Sequence, residues 1–156
     1  MWICPAALCT LTLAVCQPPE RVGVFHRPSI VVAFDRSDLW LRQVRQRKEA
    51  MDAAKKAGGR RKAAALDRWG RDAQRLARRQ LAGKAPMDNI WEALQPLLPE
   101  VAARAGVSRA VLDPPPGAET ADVTPHLLDA LHAGPSTRQI AGGLRQRDER
   151  RGSARR

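Results

Sequence analysis

The side chains of this sequence that are suited to chemistry are cations, and they are concentrated between residues 42 and 84. That stretch holds fifteen Lys and Arg against four Asp and Glu, so its net charge of +11 equals that of the whole chain. Such side chains bind phosphates and carboxylates, and Arg can do so with two parallel hydrogen bonds. The stretch therefore predicts electrostatic binding of an anionic partner: nucleic acid, an anionic membrane surface or an acidic protein segment.

We expect seven arginines in the second half of this stretch to form the binding surface. They are Arg60, Arg61, Arg68, Arg71, Arg75, Arg78 and Arg79. The alternative interpretation of such a run of charge is a solvated helix surface that has no partner.

No pattern in the sequence indicates an enzyme, a metal site or a cofactor site. The histidines are scattered, at His26, His126 and His132. No known nucleophile motif places a histidine beside Ser29 or Ser37, and Asp35 and Asp38 flank a helix start, where acids normally cap. Gly58-Gly59 lies between helices, which favours a hairpin turn over a phosphate-binding loop. We expect a non-enzymatic protein without cofactors.

Two helices must position the arginines, and the apolar spacing places both between residues 38 and 83. Ser37 is the expected cap of the first helix, and Gly58-Gly59 the turn. The expected seam consists of Trp40, Val44, Met51, Leu66, Trp69, Ala73 and Leu76. Its three- and four-residue spacing predicts an antiparallel coiled coil in which Met51 faces Leu66, with Arg47 or Lys48 beside Trp69.

The remaining pattern predicts a small body. We expect strands at 22–25, 30–34, 107–112 and 121–123, and a turn at 26–29. We also expect an apolar helix at 90–102, kinked near Pro96 and Pro99, and a helix that begins at Thr124-Pro125. Together these elements predict an α+β fold with a small β-sheet body, a protruding antiparallel helical hairpin and a C-terminal helix.

Both chain ends differ from this body in composition. Residues 3–16 form an apolar run that holds all three cysteines and resembles an export signal, with Cys16 as a possible lipidation site. The alternative is an ordinary buried or disordered N-terminus. We therefore divide the chain into an export signal and linker at 1–20, one domain at 21–134, and a basic tail at 135–156. The tail is expected to be largely disordered, apart from a short helical stretch at 140–144.

Two segments near the C-terminal end carry a family resemblance. Residues 101–113, VAARAGVSRAVLD, and 122–131, DVTPHLLDAL, resemble the end of the Skp/OmpH-like periplasmic chaperones. The resemblance implies a β-body that assembles as a trimer, with basic helical arms that enclose unfolded outer-membrane proteins. The hairpin of this chain is shorter than those arms, and prolines interrupt the helix that follows it.

The leading expectation is thus an exported, chaperone-like protein of the periplasm or cell envelope that holds unfolded proteins with its basic hairpin. One alternative is a cytoplasmic protein that associates with nucleic acid through the hairpin and the Arg-rich tail. Another is a structural homo-oligomer of unknown partner.

Overall fold

The computed structural model describes residues 20–154 of the chain. That range contains three short strands and seven α-helices, so the α+β class is confirmed. The strands are β1 (Arg21–Val24), β2 (Arg109–Ala110) and β3 (Glu119–Asp122). The helices are α1 (Arg27–Asp35), α2 (Asp38–Lys56), α3 (Arg60–Leu81), α4 (Asp88–Leu94), α5 (Leu98–Ala105), α6 (Thr124–Ala130) and α7 (Pro135–Ser153). A 3-10 turn, Gln95–Leu97, joins α4 to α5.

The strands form one parallel sheet in the order β2-β1-β3. Val22 of the central strand is fully buried, and it lies opposite Arg109 on one side and Thr120 on the other. A Cβ at Gly23 would lie 2.5 Å from Cγ1 of Val123, so no larger residue fits there. The strands predicted at 22–25 and 121–123 are present with shifted bounds, and the one predicted at 107–112 shortens to β2.

The strand predicted at 30–34 is wrong, because these residues belong to α1. The turn predicted at 26–29 is wrong as well, since α1 begins at Arg27 with Pro28 in its first turn. Helices α3, α6 and α7 all pack against α1, and Ile30, Val31 and Phe34 are buried. A helix that is covered on several sides has a continuous apolar run, which periodicity alone does not distinguish from a buried strand.

The two basic helices match their predicted bounds closely. Ser37 caps α2 by accepting a hydrogen bond from the Trp40 amide, 3.5 Å away. Gly58 has a φ of +71° after α2, a conformation that favours glycine. The Gly59 amide then donates to the Ala54 carbonyl at 2.8 Å, which closes the turn into α3.

The helix predicted at 90–102 is interrupted by its prolines. Pro96 and Pro99 each lie in the first turn of a new helical segment, so the pattern divides into α4, the 3-10 turn and α5. Ile90, Leu94 and Val101 point into the core from these segments. Gly106 ends α5 with a φ of +64°.

The tail expected to be largely disordered is instead helical through Ser153, the end of α7. Ala141 is only 2% exposed, and α7 packs along α1. Composition did not predict this helix because much of its anchoring comes from partners far away in sequence.

Candidate functional site

The seven arginines singled out in the sequence lie on one face of α3. Successive helix residues turn by about 100°, which places all seven within an arc of about 100°. All seven are exposed, and together they span about 29 Å of helix at about 1.5 Å per residue. We call this surface the arginine face; it consists of Arg60, Arg61, Arg68, Arg71, Arg75, Arg78 and Arg79.

The arginine face points to solvent because the opposite side of α3 contacts α2. Trp69 lies 5.7 Å from Trp40 of α2, measured between ring centroids, and Leu66 lines a groove together with Met51. Since these apolar side chains lie on the far side of the helix, packing directs the arginines outward.

Within the part of the chain that the structure describes, most of the arginine face has no carboxylate partner. Asp67 pairs with Arg71, and Asp72 pairs with Arg75 at 2.5 Å. For the other five arginines, no carboxylate of residues 20–154 lies within 4.0 Å. Arg79 donates to the Lys84 carbonyl at 3.2 Å, a neutral partner, so the charges of all five remain available to an external anion.

The arginine face divides into two rows along the helix. At about 100° per residue, Arg60, Arg71 and Arg78 lie near one edge of the arc. Arg61, Arg68 and Arg79 lie near the other edge, about 80° to 100° away. Ala64 and Arg75 fall between the rows and are exposed; at Ala64 the centre of the face is low, while its edges carry long cationic side chains.

The cations of α2 are arranged differently. Five of the six cations of α2 span an arc of about 140° that also contains Glu49 and Asp52, and the sixth, Arg47, folds back over the Trp69 ring with its guanidinium carbon 4.1 Å from the centroid. This contact is the one expected for Arg47 or Lys48. It uses the Arg47 charge inside the hairpin, where cation–π attraction stabilises the packing.

The seam residues come together over much of the hairpin. Val44 and Ala73 line one groove, and Met51 and Leu66 line another. Leu76 is half-buried beside Trp40 and Trp69. Phe34 of α1 lies 5.8 Å from Trp40, so a row of aromatic rings links the core to the hairpin.

A polar network at the carboxyl end of the sheet was not predicted. His26 Nδ1 lies 2.7 Å from Ser29 Oγ, and His26 Nε2 lies 3.1 Å from Asp148 Oδ2. The Ser29 hydroxyl donates to the Ala141 carbonyl at 2.9 Å and is 1% exposed. Although the order of these groups resembles a Ser-His-Asp triad, the serine is buried and its hydroxyl proton already bonds the Ala141 carbonyl. Because Ala141 and Asp148 belong to α7, the network joins α7 to the start of α1. The three-residue spacing of His26 and Ser29 was the available signal.

A second anchor of α7 is the ion pair of Arg145 with Asp122, at the end of β3. Burial by itself raises the pKa of Asp122. Hydrogen bonds from the hydroxyl and amide of Thr124, and the hydrogen bond and charge of Arg145, outweigh it and lower that pKa below its usual value. The hydrogen bond to Asp122 raises the pKa of Arg145 in turn. The ion pair therefore stabilises the charged forms of both groups.

Other candidate chemistry can be placed only in part. Cys16 lies outside the described residues. Between residues 20 and 154, no helix is both long and apolar enough to cross a bilayer. Within the same range, no three His, Cys, Asp or Glu side chains are arranged to hold a metal ion.

Comparisons with known proteins identify no relative. No protein-family model, curated protein or solved structure matches this chain.

Proposed function

We propose that this protein binds the phosphate backbone of nucleic acid through the arginine face. The observation that carries the proposal is the alignment of seven arginines on one exposed arc of α3, five of them without a carboxylate partner among residues 20–154. Packing against α2 explains why the polar residues of α3 face outward, but not why the arc of about 100° that holds the seven arginines contains no Asp or Glu. Arg is also the residue best suited to phosphate, because its planar fork matches two oxygens at once.

The physics of the proposal is counterion release. Each phosphate that a cation neutralises frees a condensed counterion, so the logarithm of the binding constant falls with the logarithm of salt by about 0.9 per contact on duplex DNA. Five to seven contacts then predict a slope between about −4 and −6.

Fluorescence anisotropy of labelled DNA and RNA, titrated with the full chain between about 50 mM and about 200 mM salt, tests the proposal. The test variant carries Arg61→Gln, Arg68→Gln and Arg78→Gln. The control carries Arg42→Gln, Arg45→Gln and Lys48→Gln on α2, which is the same loss of charge. We expect the test variant to reduce the slope by about 3, and the control by less than about 1.

Two outcomes would contradict the proposal. One is a chain that binds no nucleic acid at low salt. The other is equal weakening of binding by the two variants, which would mean that net charge rather than the arginine face is responsible. Thermal melting followed by circular dichroism checks that both variants remain folded. Each surface substitution of this kind is expected to change stability by less than about 0.5 kcal/mol.

The second candidate is chaperone-like holding of unfolded or outer-membrane proteins. The groove between α2 and α3 favours it, because Val44, Met51, Leu66 and Trp69 line this groove beside Arg47. An apolar segment with acidic flanks fits such a surface. Light scattering of an aggregating outer-membrane β-barrel protein tests it. Suppression that survives in the arginine-face variant, together with no binding of nucleic acid, would favour this function over the first.

Several finer predictions belong with the second candidate. They are membership of the Skp/OmpH-like family, a trimer, antiparallel coiled-coil pairing of the hairpin, and location in the periplasm or envelope with a cleaved or lipidated Cys16. A nucleic-acid partner instead predicts a cytoplasmic protein. Mass spectrometry of the mature N-terminus and sedimentation of the purified chain distinguish these predictions, and also test the third alternative, a structural oligomer.

A further inference from the structure

The geometry of the arginine face points to one class of nucleic acid: we infer that it takes B-form duplex DNA, with α3 seated along the major groove. This inference rests on the proposed function and specifies its ligand. A helix about 10 to 12 Å in diameter matches a groove about 12 Å wide.

The two rows of arginines match the two phosphate strands that border a groove of duplex DNA. A groove of duplex DNA has a phosphate strand on each wall, whereas a single strand presents one line of phosphates. Rows about 80° to 100° apart direct their guanidinium groups to both walls when the centre of the face points at the groove floor. The row at one edge runs from Arg60 to Arg78, and the row at the other edge runs from Arg61 to Arg79. Each row therefore extends along about 27 Å of helix.

The placement of the aromatic residues does not favour a single-stranded ligand. Proteins that bind single strands stack bases on exposed aromatic rings. Here Trp40 lies between Phe34 and Trp69, and Arg47 covers the Trp69 ring. Phe25 and Trp91, which lie outside α3, stack on each other with their ring centroids 6.1 Å apart. Trp69 borders a groove beside Arg61 and Arg68, but no Phe or Trp among residues 20–154 is exposed, so the arginine face has no fully exposed ring on which a base could stack.

The form of the duplex follows from the same geometry. The major groove of A-form RNA is too deep and narrow for a helix, and its wide minor groove is read through 2′-hydroxyls. The centre of the face carries no Asn or Gln, the side chains that read adenine, and Arg75, which is of the type that reads guanine, is paired with Asp72. Binding should therefore favour B-form DNA and vary little with base sequence.

The test compares four labelled probes of equal length in the same salt: duplex DNA rich in G·C, duplex DNA rich in A·T, single-stranded DNA and duplex RNA. We expect the two DNA duplexes to bind within about threefold of each other, and about tenfold or more tighter than the single strand or the RNA. Tighter or equal binding of RNA or single strands would overturn the duplex inference while leaving the proposed function intact. Absence of binding to all four would overturn both.

A matched pair of variants tests the seating of α3. Ala64→Glu places a carboxylate between the two rows, while Ala53→Glu adds the same charge at an exposed alanine of α2. Both sites are solvent-exposed on helices, so both variants should fold. We expect Ala64→Glu to weaken duplex binding about tenfold or more and Ala53→Glu less than about threefold. If both substitutions weaken duplex binding equally, the centre of the arginine face does not point into the groove.

Discussion

The two arginines that anchor α7 use their charge in the opposite way from the arginine face of α3. In α7, Arg145 pairs with Asp122 and Glu149, and Arg138 pairs with Asp129 at 2.7 Å and also donates to the Ala133 carbonyl. In α3, most arginines contact no carboxylate among residues 20–154, and the two that do are paired with aspartates of the same helix. Charge that anchors a helix is satisfied by distant partners, whereas charge that serves an external ligand stays exposed and aligned.

The largest expected contrast comes from placing one substitution on each helix. Ala141→Glu buries a carboxylate at the contact between α7 and α1, where Ala141 is 2% exposed, and we expect a loss of about 3 to 5 kcal/mol in the free energy of unfolding. Ala64→Glu on α3 should change stability by less than about 0.5 kcal/mol. Denaturant unfolding followed by tryptophan fluorescence measures both. Similar midpoints for the two variants would show that α7 is not part of the folded body.

Replacing single arginines gives the next largest effect. Arg145→Gln removes the ion pairs to Asp122 and Glu149, and we expect it to cost about 0.5 to 1 kcal/mol because both partners remain partly exposed. Arg68→Gln removes no pair and should leave the unfolding midpoint unchanged, while it reduces the salt slope of DNA binding by about 1. A stability loss at Arg68 that equals the loss at Arg145 would contradict the division between anchoring and binding arginines.

The anchoring contact of α7 and the arginine face of α3 should also differ in their response to pH. The folded-state pKa of Asp122 is lowered, so its ionised form adds stability above the unfolded value of about 3.9 and that stability is lost as the pH falls toward the folded pKa. Thermal melts of the parent and of Asp122→Asn should differ near neutral pH and converge in acid. The arginine face contains no histidine, so we expect the DNA affinity of α3 to stay level between about pH 6 and about pH 9. A difference between the melts that grows in acid would reverse the assigned sign.

The smallest expected effect lies at the junction between α1 and α2. Burial raises the pKa of Asp35, so its ionised form carries a cost that is present above that pKa and disappears below it. Asp35→Asn should raise the melting temperature near neutral pH by about 1 °C, and the gain should vanish in acid. Because Asp35 is far from the arginine face in sequence and lies at the base of the hairpin, DNA binding should not change; a changed affinity would link the junction to the binding surface.

The local sequence pattern was sufficient to predict those helices whose bounds depend on residues close by in the sequence. Ser37 and Gly58 set the ends of α2, and the spacing of Leu66, Trp69 and Leu76 places the arginines of α3 on the opposite side. Pro96 and Pro99 mark the breaks between α4 and α5. Caps, glycine turns and helical period act within a few residues, and for that reason they can be read from one segment at a time.

Tertiary structure alone decided the rest. Residues 30–34 are a helix because α3, α6 and α7 surround them, and 135–153 are a helix whose arginines meet Asp122 and Asp129. The same holds for His26 and Ser29, whose network closes only when Ala141 and Asp148 arrive from α7. The sequence by itself determined a basic helix with its charges on one side. The pairs of Arg71 and Arg75 follow from the spacing of Asp67 and Asp72 on the same helix. Whether a carboxylate far away in the chain reaches a cation, as Asp122 reaches Arg145, is decided only by the folded chain, which alone brings the two within hydrogen-bonding distance.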